Sequence, residues 1–165
     1  MKKVEEFFEE GDNKMEEVKE TGLMIKDFNQ LQNVGSKSQT DIFTTITDGK
    51  VLFNLENHCD FKLNDCKGEI IRVKDVLIKI ISTPLDEPEV DENGNVVKDK
   101  EIKKVCILID DQGKSYVTGS KMFTNQMTRY IGMVGIQAIQ DGVEIKIIER
   151  DVKGTNNKAL GFDLV

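Results

Sequence analysis

Three aromatic residues stand where their rings could stack on the bases of a nucleic acid. Phe43 alternates with Ile42 in a β-branched stretch, so the two side chains point to opposite faces of a strand. Tyr116 follows a Gly-containing turn, and Phe61 lies in the segment before a long apolar run. Sequence-independent binding of single strands uses such rings as stacking platforms. The alternative for each ring is a position in the core or beneath a loop.

Five cations accompany these rings. Arg72 and Lys74 alternate with apolar neighbours in one predicted strand, and Lys104 does so in the next. We expect these three to share the outer face of a sheet, where they could follow a phosphate backbone. Lys114 and Lys121 flank Tyr116 along the chain. The alternative is ordinary solvated surface charge, which accounts for most lysines.

No set of residues indicates catalysis. His58 is the only histidine, and neither a phosphate-binding GxxxxGK[ST] loop nor an HExxH metal motif is present. Asp110 and Asp111 resemble turn residues more than a nuclease site. The three cysteines form no CxxC pair, and their spacing from His58 matches no common zinc module. We therefore expect a binding protein that is not an enzyme, with no cofactor and no metal.

The elements that position these residues are mostly predicted strands. Residues 42–47 alternate, and Asp48-Gly49 reads as a turn into a second strand, VLFNL, with Phe53 in the core. Further strands are predicted at 70–82, 103–110, 115–118, 143–150 and 159–165. One helix is predicted to begin after Ser120 and to end at Gly135, with Phe123 and Met127 on its apolar face.

This order predicts an all-β fold. The best match is a five-stranded barrel of the OB-fold type, with its helix between the third and fourth strands. We place the folded domain at residues 39–165 and an acidic arm, helical or disordered, at residues 1–38. Residues 84–101 hold both prolines and an Asn-Gly pair, and they read as an acidic loop or hairpin tip.

The charge is unevenly distributed. The net charge is −7, of which residues 1–20 and residues 86–100 carry −4 each, so the rest of the chain carries +1. A nearly neutral body leaves room for a basic groove on one face. No apolar run reaches the roughly 18 residues of a membrane span, and the first residues do not form a signal peptide. We expect a cytoplasmic protein with no membrane partner.

Four strings carry a resemblance to a known family: DIFTTITDGKVLFNLEN, KLNDCKGEIIRVKDVLIKI, ILIDDQGKSYVTGSKMF and NNKALGFDLV. They resemble, in order, the single-stranded-DNA-binding proteins of phages and mobile elements of Gram-positive bacteria. The resemblance implies an OB-like protein that coats single-stranded DNA, or RNA, during phage-type replication, and replication proteins are possible partners. This chain lacks an acidic carboxyl-terminal tail tipped by Phe, which places tail-mediated recruitment in doubt.

A second hypothesis belongs to another class. The barrel could bind a replication or host protein, with the acidic segments imitating DNA. The resemblance favours single-strand binding, and the net charge of −7 favours the interaction protein. No pattern in the sequence indicates an oligomeric state.

Overall fold

A computed structural model describes residues 37–165, so nearly all of the arm predicted for residues 1–38 lies outside the described residues. The elements follow one another in this order: β1 Gln39–Thr44, α1 Gly49–Asn57, β2 Phe61–Lys62, a short 3-10 helix Leu63–Cys66, β3 Ile70–Val90, β4 Val96–Asp110, β5 Ser115–Thr118, α2 Lys121–Val134, α3 Ile136–Gln140, β6 Val143–Asp151 and β7 Lys158–Leu164. No helix within residues 37–165 is long and apolar enough to cross a membrane.

The strands form one open, mixed sheet of seven strands, so the predicted closed, all-β barrel of five strands with one helix is wrong. The order is β2-β5-β4-β3-β6-β7, and β1 pairs with residues 77–82 in the middle of β3. Only β2 and β5 are parallel; the other pairs are antiparallel. The first residues of β3, Ile70 to Val73, pair with β6.

Helix α2 explains why the sheet stays open. The hydroxyl of Ser120 donates to the carbonyl of Leu160 at 2.9 Å. The side-chain amide of Gln126 donates to the carbonyl of Phe162 at 2.6 Å and accepts from its N–H at 3.1 Å. Side chains of α2 therefore bond the backbone of β7, and they protect a sheet edge that a neighbouring strand would otherwise occupy.

The predicted strand VLFNL is a helix, which is a second correction. The carboxylate of Asp48 accepts from the N–H of Lys50 at 2.8 Å and caps α1, so Asp48-Gly49 starts a helix instead of a hairpin turn. Leu52 and Leu55 then face the sheet at helical spacing. Phe53 points outward with 70% of its surface exposed, and it does not lie in the core.

The helix predicted after Ser120 is confirmed. The Ser120 hydroxyl accepts from the N–H of Phe123 at 3.2 Å, and Phe123, Met127 and Ile131 are buried along one face. Gly135 ends α2 with a φ of 84°, a conformation that favours glycine.

Helices cover both faces of the sheet, and each face has its own core. The α2 side is the face that carries the larger cluster, where Val76, Ile78 and Leu108 pack against α2 and α3. The α1 side is the opposite face, where Leu77 and Ile107 pack against α1. Consecutive residues of β3 and β4 thus alternate between two cores, as strand geometry requires.

Strands β3 and β4 extend beyond the rest of the sheet as a two-stranded ribbon, residues 84–101. Of the two alternatives predicted for this acidic segment, a loop or a hairpin tip, the structure has the hairpin, with paired strands and a tight turn at the tip. The carboxylate of Asp91 accepts from the N–H groups of Asn93 and Asn95, and Gly94 has a φ of 80°.

Candidate nucleic-acid interface

Phe61 and Tyr116 form a stacked pair at one edge of the sheet. They lie side by side in the parallel pairing of β2 with β5, with ring centroids 5.3 Å apart and ring planes inclined by 26°. Phe61 is 45% exposed, whereas Tyr116 is buried within the α2-side core. Phe61 is thus the ring that solvent and a ligand can reach, and Tyr116 supports it.

The expectation that Tyr116 is an exposed platform is therefore wrong. Its hydroxyl donates to the carboxylate of Asp110 at 2.9 Å, which fixes the ring in the sheet. Burial, followed by the bond to Asp110, raises the pKa of Tyr116 well above its usual range. The ring is held neutral and in place beneath Phe61.

Asp60 and Ser115 fasten β2 to β5 just before Phe61. The backbone N–H and the hydroxyl of Ser115 both donate to the Asp60 carboxylate, at 2.9 and 3.0 Å. These bonds lower the pKa of Asp60, and the nearby side chains of His58 and Lys114 lower it further. The two-residue strand that carries Phe61 is therefore anchored by more than its ladder hydrogen bonds.

Phe43 does not reach a binding surface. It pairs with Ile78 of β3 and packs, half-buried, against the α2-side core. Ile42 packs on the α1 side, so the two residues do point to opposite faces. Because both faces of the sheet are covered at this point, the alternation could not place Phe43 in solvent.

The expected cluster of Arg72, Lys74 and Lys104 does not form. Arg72 pairs with Glu144 on β6, with an ion-pair distance of 3.8 Å. The ammonium of Lys74 lies 3.4 Å from the carbonyl oxygen of Gln140 at the end of α3. Lys104 pairs with Ile80, which is eight residues, or about 26 Å, along β3 from Arg72.

Lys104 and Lys121 do come together, through α2. The ammonium of Lys104 donates to the side-chain oxygen of Asn125. Lys121, Asn125 and Arg129 follow one another at four-residue spacing and so share one exposed face of the helix. Lys104, Lys121 and Arg129 are hereafter called the basic surface. The sequence of α2 contains no acid to oppose it.

Arg129 was not among the candidates taken from the sequence. The signal was present, because Lys121 and Arg129 lie eight residues apart and share a helical face. The sequence could not show that this face of α2 lies beside Lys104, because the hydrogen bond between Lys104 and Asn125 joins residues of two elements that meet only in the tertiary structure.

Lys114 lies apart from the basic surface, in the exposed turn between β4 and β5. Its backbone N–H donates to the carboxylate of Asp110 at 2.8 Å, and the preceding Gly113 has a φ of 80°. The charge of its ammonium helps to lower the pKa of Asp60, so Lys114 lies near the Asp60–Ser115 hydrogen bonds.

The exposed ring and the basic surface lie on the same side of the sheet. Tyr116 pairs with Leu108, whose side chain belongs to the α2-side core. Lys104 lies on β4, four residues before Leu108, and Phe61 lies on β2, two strands away from β4. Standard strand dimensions put Phe61 about 16 Å from Lys104.

The α1 side offers a poorer place for a polyanion. A groove of about 590 Å³ runs beside α1, and Asp48, Asp60 and Asp75 contribute to its lining. These carboxylates would repel phosphate groups. The side chains that favour phosphate binding lie instead on the α2 side.

The cysteines and His58 do not assemble into a cluster. Cys66 and Cys106 are buried in the α2-side core, whereas Cys59 packs on the α1 side. Burial raises the pKa of the Cys106 thiol to about 12, so this thiol stays protonated. Within residues 37–165 no group of three or more His, Cys, Asp and Glu side chains is arranged to hold a metal ion.

Comparison of the chain with protein-family models, curated proteins and solved structures finds no significant match. The resemblance to phage single-stranded-DNA-binding proteins, and the function that it implies, stay predictions.

Proposed function

We propose that this protein binds single-stranded DNA, largely without regard to sequence, and coats single strands during phage-type replication. One observation carries the proposal. Lys104 and Lys121, two cations selected from the sequence, lie with Arg129 on one surface, about 16 Å from the exposed ring of Phe61 on the same side of the sheet.

The chemistry of this arrangement suits an unpaired strand. Lysine and arginine neutralise phosphates and release bound counterions, which supplies affinity without reading the sequence. An exposed ring such as Phe61 can stack on any base, but only where the base is not already stacked in a duplex. The combination therefore favours single strands over duplex.

The net charge of −7 does not oppose the proposal, because affinity depends on the local field. Residues 1–20 and residues 86–100 account for more than this negative charge. The basic surface lies on α2 and on the part of β4 that is outside the ribbon. We propose further that the protein acts in the cytoplasm, meets replication proteins there, and catalyses no reaction.

Titration of a fluorescently labelled oligonucleotide of mixed sequence at two salt concentrations tests the proposal. Duplex of the same length serves as the competitor. Lys121→Gln should lower affinity about fivefold at 0.1 M salt, since each phosphate contact contributes roughly 0.7 to the slope of log K against log salt. Lys153→Gln is the matched control, because Lys153 is exposed in the turn between β6 and β7.

Equal affinity for duplex and single strand would contradict the proposal, as would binding that does not weaken as salt rises. The second hypothesis, a protein that binds a replication or host protein, then becomes the better one. The observation that favours it is the exposed, acidic ribbon with Val90, Val96 and Val97 near its tip. Capture of a purified replication protein, unaffected by oligonucleotide, would support it.

A further inference from the structure

Charges alternate by side where β4 leaves the base of the ribbon and enters the sheet. Pairing of β3 with β4 runs without a register shift from Asp75 opposite Ile109 to Pro84 opposite Lys100. Side chains on β4 therefore alternate regularly through this stretch. Lys100 and Ile102 fall on the α2 side with Lys104, and Glu101 falls on the α1 side with Lys103.

The partner strand adds no negative charge to the α2 side of this stretch. The residues opposite Lys104, Ile102 and Lys100 are Ile80, Ser82 and Pro84, and opposite residues of an antiparallel pair share a face. The acid closest by register is Asp41, which pairs with Ile80 from β1 and lies two strands, or about 10 Å, from Lys104.

In the described part of the chain, the row of α2-side lysines without an ion pair ends at Lys100. Lys98 is next on the same side, but its ammonium forms an ion pair with Glu89 at 3.8 Å. Among residues 37–165, no ion pair involves Lys100. Lys100 is exposed and stands about 13 Å from Lys104 along the strand.

We propose that the α2 side of the ribbon continues the basic surface, so that a bound single strand runs along β4 from Lys121 and Lys104 to Lys100. This inference rests on the proposed function. It assigns phosphate contact to the ribbon although the ribbon has a net charge of −5, because the two acids beside Lys100, Asp99 and Glu101, alternate with it along β4 and face the α1 side. Lys100 then extends the basic surface onto the base of the ribbon.

The ribbon's construction fits such a role. A two-stranded hairpin is only marginally stable alone in water, and no third strand pairs with the ribbon in the described part of the chain. Pro84 and Pro88 lack the N–H groups needed to pair with another strand along the β3 edge. The β3 edge of the ribbon is therefore poorly suited to bind a further strand, and the ribbon's side chains are the groups available to a ligand.

Two lysines three residues apart on β4 give a matched test. Lys100→Gln and Lys103→Gln remove the same charge from exposed positions on opposite sides of the strand. In the full-length protein, with a long labelled oligonucleotide at 0.1 M salt, Lys100→Gln should weaken binding about fivefold and reduce the salt slope by roughly 0.7. Lys103→Gln should change affinity less than twofold.

The outcomes separate the two proposals. If the unaltered protein shows no salt-sensitive preference for single strands, both fail. If it binds and Lys121→Gln weakens binding, but Lys100→Gln and Lys103→Gln behave alike, the proposed function stands and the ribbon inference is overturned. A larger effect of Lys103→Gln would also overturn it, since the strand would then follow the α1 side.

Discussion

Two aromatic residues that look alike in the sequence have different roles in the structure. Tyr116 and Phe61 both sit next to turns, yet Tyr116 is buried and bonded to Asp110 while Phe61 keeps 45% of its surface exposed. The difference arises because β2 pairs with β5 and lays one ring over the other. Phe61, which covers Tyr116, is therefore the residue whose loss should affect binding directly.

Replacing Phe61 with Ala should lower affinity for single strands with little loss of stability. Base stacking on an aromatic side chain contributes about 1–3 kcal/mol by alanine substitution. Phe53→Ala is the control, because Phe53 is even more exposed but lies on α1, on the other side of the sheet. Fluorescence titration measures both variants. Equal losses of affinity, or a loss only for Phe53→Ala, would show that the strand does not pass over Phe61.

Helix α2 connects the fold to the candidate interface. Its inner face, with Phe123 and Met127, fills the core, and its outer face carries Lys121 and Arg129. Its flank bonds the backbone of β7 through Gln126. One helix thus closes the core, protects a strand edge and presents two of the three cations of the basic surface.

The Gln126→Ala variant should be destabilised by about 1–3 kcal/mol, since the N–H and carbonyl of Phe162 lose their side-chain partner. Gln137→Ala is the control, because the amide of Gln137 bonds only the exposed carboxylate of Asp141. Urea unfolding monitored by circular dichroism measures both. If Gln126→Ala is as stable as Gln137→Ala, the bonds to β7 do not hold the edge in place.

The described part of the chain contains what a folding unit needs. Residues 37–165 have a core on each face of the sheet, and β1 at Gln39 is already part of that sheet. The boundary predicted between residues 38 and 39 therefore falls beside the first strand. Every residue of the basic surface and of the aromatic pair lies within this part.

A protein consisting of residues 37–165 should unfold in one cooperative transition and keep its affinity for single strands. The reason is that its cores and its candidate interface involve only described residues. Thermal unfolding and oligonucleotide titration beside the full chain provide the measurement. Precipitation, or unfolding without a transition, would place residues 1–36 in the folded core and move the domain boundary.

The sequence by itself determined the local features. The Ser120 cap, the apolar face of α2 and its end at Gly135 follow from side-chain chemistry and spacing within a few residues. The alternation predicted for residues 103–110 likewise places Lys104 on the side opposite Lys103 and Val105. Such features need no information about distant parts of the chain.

Only the tertiary structure decided how these pieces meet. Asp48-Gly49 suits a hairpin turn or a helix start, and packing of Leu52 and Leu55 on the sheet selects the helix. The sheet stays open because α2 bonds the backbone of β7. Lys104 joins Lys121, and not Arg72, because strand register and the contact with Asn125 bring together residues far apart in the chain, which no local pattern encodes.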